Sequence, residues 1–245
     1  MQHAVPILPI GSYADAVAYY VDGLGFGINW ENRPYPQSPL YMEIERDGLY
    51  LHLSEHAGDM VKVACHAYID NLPILVEEWR ARRPGLVGEV EETPWNALTV
   101  GLGDPFGNHL QLQQNLPAKG RQEAQRTIPT FRVHSYDEAI AYYVEWLGFV
   151  VDWEWRHEPG FPVYMQISRD GLGLHLSEHP HPAFGATCLM RVRDVGALVS
   201  EWRDRDAEFG GEAESMPWGA LVVAFDDPGG NNLRFQQSID VGTHA

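Results

Sequence analysis

The chain is an ungapped duplication, and that repeat constrains its architecture more than any other feature. Residues 41–56 read YMEIERDGLYLHLSEH and return at 164–179 as YMQISRDGLGLHLSEH, with three positions changed. The offset of 123 residues does not drift, because Leu24-Gly25-Phe26 returns at Leu147-Gly148-Phe149. A repeat of more than about 100 residues is too long for a solenoid unit. Each copy is therefore expected to have its own core.

The duplication predicts two domains of similar size. We place the first copy at residues 1–117 and the second at 126–245, joined by a polar linker at 118–125. The first residues lack the basic and long apolar segments of a secretory signal, and no apolar run approaches the roughly 20 residues that span a bilayer. We expect a cytoplasmic protein without a membrane segment, in which Cys65 and Cys188 are reduced.

The chain carries a formal net charge of −17. Nucleic-acid-binding proteins need a basic face, so this charge argues against nucleic acid as a partner. An acidic surface ordinarily serves solubility, and it also attracts cationic ligands. Both interpretations stay open at this point.

The hydrophobic pattern divides each copy into two units of the form strand, helix and three strands. In the first copy, residues 13–21 read as a helix capped by Ser12, and residues 41–45 and 49–54 read as a hairpin around Asp47-Gly48. The chain is then four βαβββ modules of the α+β class, paired within each copy. The helices should lie on one face of curved mixed sheets, whose other face forms a cup.

Period-two alternation assigns the side chains of each strand to the two faces. In the strand at 49–54 the leucines share the helix side, while Tyr50 and His52 point into the cup. Gln111 and its counterpart Arg234 should face the cups from the last strand of each copy.

Four segments in each copy carry a resemblance to a known family. They are AVAYYVDGLGF, LHLSEH, TPWN and DPFGNHLQL in the first copy, and AIAYYVEWLGF, LHLSEH, MPWG and DDPGGNNLRF in the second. They resemble the glyoxalase, bleomycin-resistance protein and extradiol dioxygenase group, the vicinal oxygen chelate superfamily. The resemblance covers nearly the whole chain and implies two tandem glyoxalase/bleomycin-resistance-like domains. It does not specify an activity, because this scaffold supports many chemistries.

Metal-dependent members of that superfamily hold a divalent ion in the cup, with ligands from the first, fourth, fifth and eighth strands. The resemblance places those positions at or near Val5, His52, Ala64 and Gln111 in the first copy, and at Ile128, His175, Thr187 and Arg234 in the second. An open metal site takes about three protein ligands, and each of these sets supplies one histidine. His66 can also reach the first cup, although its counterpart cannot bind a metal. We therefore expect no bound metal and no other cofactor.

Aromatic side chains of the repeat supply further candidate ligand contacts. They are Trp30, Tyr41 and Trp95 in the first copy, and Trp153, Tyr164 and Trp218 in the second. Such side chains pack in a core or at a rim, and a rim position offers flat apolar surface to a ligand. Arg132 and Arg234 can face the second cup, where they either pair with acids or hold a carboxylate or phosphate.

Three functions stay open. The first is a metal-free binding protein of the bleomycin-resistance type, which would confer antibiotic resistance by sequestering a small cationic molecule in an acidic groove. Its predicted contacts are Trp30, Tyr41, Tyr50, His52, Trp95, Gln111, Arg132, Trp153, Tyr164, His175, Trp218 and Arg234. The second is a metal-dependent glyoxalase- or dioxygenase-like enzyme with its ligands in another strand register. The third is a scaffold or sensor without turnover, and the sequence offers no nucleophile motif that would assign catalytic residues.

We expect the protein to be a monomer that acts as an intramolecular pseudo-dimer, because one chain already contains both copies. Light scattering at micromolar concentration should return a mass near 27.6 kDa. A stable particle of twice that mass would show that the copies pair between chains instead.

Overall fold

The computed structural model describes residues 3–59, 61–116, 126–180 and 183–239. The linker predicted at 118–125 lies outside the described residues. Within those ranges, no helix is both long enough and apolar enough to cross a membrane.

The described residues form the four predicted βαβββ modules. The first contains β1 (His3–Pro9), α1 (Tyr13–Ala16) continued by a π-helix (Val17–Gly23), β2 (Gly27–Asn32), β3 (Tyr41–Arg46) and β4 (Leu49–Ser54), followed by a 3-10 turn (Ala57–Asp59). The second contains β5 (Ala64–Tyr68), α2 (Leu72–Arg82), β6 (Glu91–Glu92), β7 (Ala97–Gly103) and β8 (His109–Asn115). The third contains β9 (Arg126–Arg132), α3 (Tyr136–Ala139) continued by a π-helix (Ile140–Trp146), β10 (Val150–Trp155), β11 (Tyr164–Arg169) and β12 (Leu172–Ser177). The fourth contains β13 (Thr187–Arg191), α4 (Val195–Arg205), β14 (Glu214–Met216), β15 (Ala220–Asp226) and β16 (Asn232–Ser238).

The chain divides into two compact units. One lies within Pro6–Thr130, and the other lies within Phe131–Ala245 together with Met1–Val5. Strands β1 and β9 each run through a boundary between these ranges.

Two mixed sheets of eight strands hold the modules. Their hydrogen-bonded orders are β14-β15-β16-β13-β1-β4-β3-β2 and β10-β11-β12-β9-β5-β8-β7-β6. Parallel pairs such as β1 with β4 occur beside antiparallel hairpins such as β3 with β4, and the α+β class is confirmed. Each sheet contains one module from the first copy and one from the second. The expectation that modules pair within a copy is therefore wrong for the sheets. Each module presents edge strands with free backbone groups, and the repeat does not specify which edges pair.

Asp47 and Gly48 form the predicted turn between β3 and β4. Both residues have positive φ, 50° and 83°, as a type I′ hairpin turn requires. The resulting antiparallel register places Glu43 opposite His52 and Tyr41 opposite Ser54. Ser12 also caps α1 as predicted, because its hydroxyl oxygen accepts a 3.3 Å hydrogen bond from the Asp15 N–H.

The core of the first copy follows the predicted alternation. Leu49, Leu51 and Leu53 are buried on the helix side of β4. Trp79 of α2 is 1% exposed, and its indole Nε1 donates a 2.8 Å hydrogen bond to the carbonyl oxygen of Leu24. This indole therefore joins α2 to the end of the first helix as well as filling the core.

Replacing Trp79 with alanine should lower the free energy of unfolding by about 3–5 kcal/mol, because the change leaves a large cavity. Trp95→Ala is the control, since Trp95 is 63% exposed and its loss should change stability by less than about 0.5 kcal/mol. Urea unfolding of both variants measures the difference. Equal destabilisation by the two substitutions would contradict this assignment of the core.

Candidate ligand-binding site

Strand register brings four side chains of the first copy together on one face. Glu43 lies directly opposite His52 in the β3–β4 pair, and Trp30 lies opposite Glu43 in the β2–β3 pair. Tyr41 lies two residues before Glu43, so it points to the same face. We call Trp30, Tyr41, Glu43 and His52 the His52 cluster.

Both ring nitrogens of His52 contact side chains of this cluster. Nδ1 lies 2.7 Å from the Tyr41 hydroxyl, and Nε2 lies 2.9 Å from Oε2 of Glu43. An ionised carboxylate has only acceptors, so Nε2–H donates to Glu43. His52 is 1% exposed, and these two contacts hold its ring in one orientation.

Trp30 forms the solvent-facing side of the cluster. Its ring centroid lies 5.3 Å from that of His52 and 5.7 Å from that of Tyr41. Trp30 remains 38% exposed, whereas His52 behind it is buried. The arrangement is an accessible indole backed by a buried histidine that is hydrogen-bonded at both ring nitrogens.

The second copy reproduces this geometry with Trp153, Tyr164, Gln166 and His175, which we call the His175 cluster. Nδ1 of His175 lies 2.7 Å from the Tyr164 hydroxyl, and the Trp153 ring centroid lies 5.3 Å from that of His175. Here Nε2 of the histidine lies 3.1 Å from the amide oxygen Oε1 of Gln166. Because that oxygen can only accept, Nε2–H of His175 is the donor.

The two clusters have their carboxylate and their amide at swapped positions. In the first copy Asn29 Nδ2 donates a 3.1 Å hydrogen bond to Oε1 of Glu43. In the second, Gln166 Nε2 donates a 2.7 Å hydrogen bond to Oδ2 of Asp152, which occupies the position of Asn29. Both copies keep the acid–amide hydrogen bond, but only His52 has a carboxylate as its direct neighbour. The clusters therefore match in shape and differ in where the negative charge lies.

The sequence did not reveal these acid and amide partners. Glu43 and Gln166 occupy one of the three positions that differ between the duplicated segments, which was the available signal. Combining that difference with the hairpin register would have placed each of them beside its histidine.

His66 occupies a separate polar region of the first copy. Its ring centroid lies 5.0 Å from that of Tyr68, and the guanidinium of Arg126 lies 5.6 Å from the Tyr68 ring. Burial lowers the pKa of His66 to about 4, and a hydrogen bond with Gln113 opposes that shift. His66 is therefore neutral at physiological pH.

The other predicted contacts lie at dispersed positions. Arg132 places its guanidinium 4.2 Å from the Phe184 ring, and Arg234 Nε donates a 2.7 Å hydrogen bond to Asn232. Trp95 and Trp218 each lie 63% exposed in the turns before β7 and β15. Two further residues, Tyr50 and Gln111, are half-buried on β4 and β8. The structure thus groups the predicted Trp30, Tyr41 and His52, and likewise their counterparts Trp153, Tyr164 and His175.

The donor set does not fit a divalent metal. Val5 and Ile128 are buried apolar residues at the positions that the resemblance assigns to ligands. His52 and His175 have both nitrogens within 3.1 Å of protein side chains, so metal binding would break a hydrogen bond in each cluster. Among the residues that the structure describes, no three His, Cys, Asp or Glu side chains are grouped as a metal site.

A family model described as glyoxalase superfamily protein matches residues 1–119 and, a second time, residues 116–242. The chain belongs to the glyoxalase superfamily. The predicted resemblance and its two tandem copies are confirmed. No curated protein sequence matches the chain.

Solved structures agree with this glyoxalase superfamily assignment at the level of the fold. Glyoxalase I from Zea mays is 15% identical with a TM-score of 0.67, and the match covers 97% of this chain and 92% of that one. A candidate dioxygenase from Bacillus subtilis is 14% identical with a TM-score of 0.65, covering 96% and 84%. A bleomycin-binding protein solved with bleomycin is 24% identical with a TM-score of 0.36, covering 49% and 99%. For the Zea mays and Bacillus subtilis structures, the likeness concerns architecture and not activity.

Protonation of His66 should destabilise the protein in acid. Its folded pKa lies below its usual 6.5, so the unfolded chain binds the proton more readily, and stability is lost as pH falls from 6.5 towards about 4. That loss should be on the order of 3 kcal/mol. His66→Leu, which copies Leu189 of the second copy, should remove this part of the pH dependence of urea unfolding.

The exposed His109 provides the matched control. His109→Asn copies Asn232 of the second copy and leaves His66 in place, so the loss of stability between pH 6.5 and about 4 should persist. Identical pH profiles for His66→Leu and the wild type would show that His66 does not titrate as a buried neutral ring.

Proposed function

We propose that this glyoxalase superfamily protein binds a small planar cation without a metal, using the His52 and His175 clusters as stacking surfaces. The observation that carries the proposal is the half-exposed Trp30 lying on a buried histidine whose two nitrogens are already hydrogen-bonded. Such a histidine orients its neighbours and leaves the exposed indole face for the ligand. Small-molecule sites are typically apolar surfaces with a few placed polar groups.

The local charge supports a cationic ligand. Glu43 lies within the His52 cluster, and the whole chain has a net charge of −17. A cation over an indole face gains roughly 0.5–2 kcal/mol, depending on how far the contact is desolvated. Sequestration of a cationic antibiotic in the cytoplasm is the corresponding biological role.

A panel of planar, positively charged antibiotics should contain a compound that quenches tryptophan fluorescence. Trp30→Ala and Trp153→Ala should each reduce the quench, because each removes one stacking surface. Ile74→Ala is the control, since Ile74 is 70% exposed on α2 and belongs to neither cluster. Affinity should fall between about 0.01 M and about 0.15 M salt, because part of the attraction is long-range.

A pair of substitutions that keeps the net charge constant tests how the position of the carboxylate affects binding when the shape of the cluster is unchanged. Asn29→Asp with Glu43→Gln converts the first cluster to the acid–amide arrangement of the second without altering net charge. We expect weaker binding of the cation at the first cluster, because its carboxylate moves away from His52 to the strand edge. Asp152→Asn with Gln166→Glu makes the reverse exchange and should strengthen binding at the second.

Either of two results would contradict this proposal and favour another function. Binding of anionic compounds alone, abolished by Arg234→Ala, would indicate a metabolite bearing a carboxylate or phosphate. A stoichiometric Zn, Ni, Fe or Mn ion that is lost with His52→Ala or His175→Ala would indicate a metal-dependent glyoxalase- or dioxygenase-like enzyme.

A further inference from the structure

An open cavity of about 440 Å³ lies beside the π-helix of the second copy, within the unit that contains residues 131–239. Four aromatic and three acidic side chains line it, together with Ala141 and Pro228. None of them belongs to the His175 cluster. The volume falls within the range of small-molecule sites, roughly 300–1,000 Å³.

Trp146 is the centre of the aromatic wall. Its ring centroid lies 4.9 Å from that of Tyr142, 5.1 Å from that of Phe209 and 5.8 Å from that of Phe225. Trp146 Nε1 donates a 3.2 Å hydrogen bond to the carbonyl oxygen of Trp202. The Tyr142 hydroxyl donates a 3.1 Å hydrogen bond to the carbonyl oxygen of Asp226. The two rings are thus held in place while part of each stays accessible.

Three carboxylates surround this aromatic wall, and among the described residues no lysine or arginine lines the cavity. Asp226 accepts a 2.7 Å hydrogen bond from Asn232, and Asp206 accepts one of 3.0 Å from the N–H of Glu208. Both hydrogen bonds come from neutral groups, so neither contact is an ion pair. Arg205 is a nearby cation, and it is engaged with the carbonyl oxygen of Trp146 at 2.8 Å and with Glu201 at 2.7 Å.

The first copy shows that the fold does not require this cavity. Five residues that line the cavity have a different residue at the equivalent position of the first copy. The first copy has Gly23 in place of Trp146, Arg83 in place of Asp206, Leu86 in place of Phe209, Leu102 in place of Phe225 and Gly103 in place of Asp226. A Cβ added at Gly23 would lie 3.3 Å from the Leu86 side chain, so aliphatic packing leaves little room there. The second copy therefore combines three aromatic rings and two carboxylates at positions where the first copy has neither.

We propose that the Trp146 cavity binds a small organic ammonium ion that carries an apolar or aromatic group. The cation would lie over the faces of Trp146 and Tyr142, where the ring quadrupole attracts it. Glu138, Asp206 and Asp226 would add Coulombic attraction at the open side of the cavity. The apolar group would contact Phe209 and Phe225. This site is independent of the stacking surfaces on β2 and β10.

The test uses fluorine NMR of the full-length protein labelled with 5-fluorotryptophan, with benzyltrimethylammonium as the probe. Trp146→Phe identifies the Trp146 resonance among the eight tryptophans. A saturable shift of that resonance is expected with the probe, and the neutral benzyl alcohol should bind at least about tenfold more weakly. Trp30→Ala should leave the Trp146 shift unchanged, so this result does not depend on the function proposed above.

Two charge reversals, one within α4 and one directly after it, test whether the carboxylates of the cavity attract the probe at short range. Asp206→Arg introduces the arginine that the first copy has at this position, Arg83. It should weaken binding of the probe by about tenfold or more, since it replaces an attraction with a repulsion. Asp204→Arg changes the net charge equally outside the cavity and should alter affinity less than about twofold. Asp226→Asn removes a second lining charge and gives an independent reading if Asp206→Arg perturbs folding.

Three outcomes would overturn the proposal. They are an unchanged Trp146 resonance at saturating probe, equal losses with Asp204→Arg and Asp206→Arg, and equal affinity for benzyl alcohol. The last outcome would make the cavity a general apolar site.

Discussion

The register of the β3–β4 hairpin is the constraint on which the candidate site depends. Asp47 and Gly48 adopt positive φ, and the turn they make leaves no freedom in how the two strands pair. A slip of one residue would turn His52 to the helix side and expose Leu51 and Leu53. Burial of the leucines and assembly of the Tyr41–His52–Glu43 hydrogen bonds are therefore outcomes of one register. The same turn at Asp170-Gly171 builds the second cluster.

The duplication preserved the geometry of the clusters and changed their chemistry. Ring distances and the tyrosine–histidine hydrogen bonds agree between the copies to within 0.1 Å. The acid and the amide, in contrast, have exchanged strands. Each exchange preserves the hydrogen bond between the two groups, because a carboxylate accepts from an amide in either arrangement. Two sites of equal shape can in this way differ in where their charge lies.

The two copies carry different side chains around Trp146. Trp146 replaces a glycine, and the phenylalanines around it replace leucines. Rings at these positions pack edge to face against one another, which permits a wall that is ordered and still partly exposed.

Local features of the sequence predicted the modules, the hairpins, the buried leucines and Trp79, because turn φ angles and strand periodicity depend on neighbouring residues. The family resemblance rested on such segments and is confirmed. Tertiary structure alone decided which module edges share a sheet, which side chains contact His52 and where the Trp146 cavity opens. These features depend on residues far apart in the chain, such as Trp146 and Phe225, and no local pattern specifies that such residues meet.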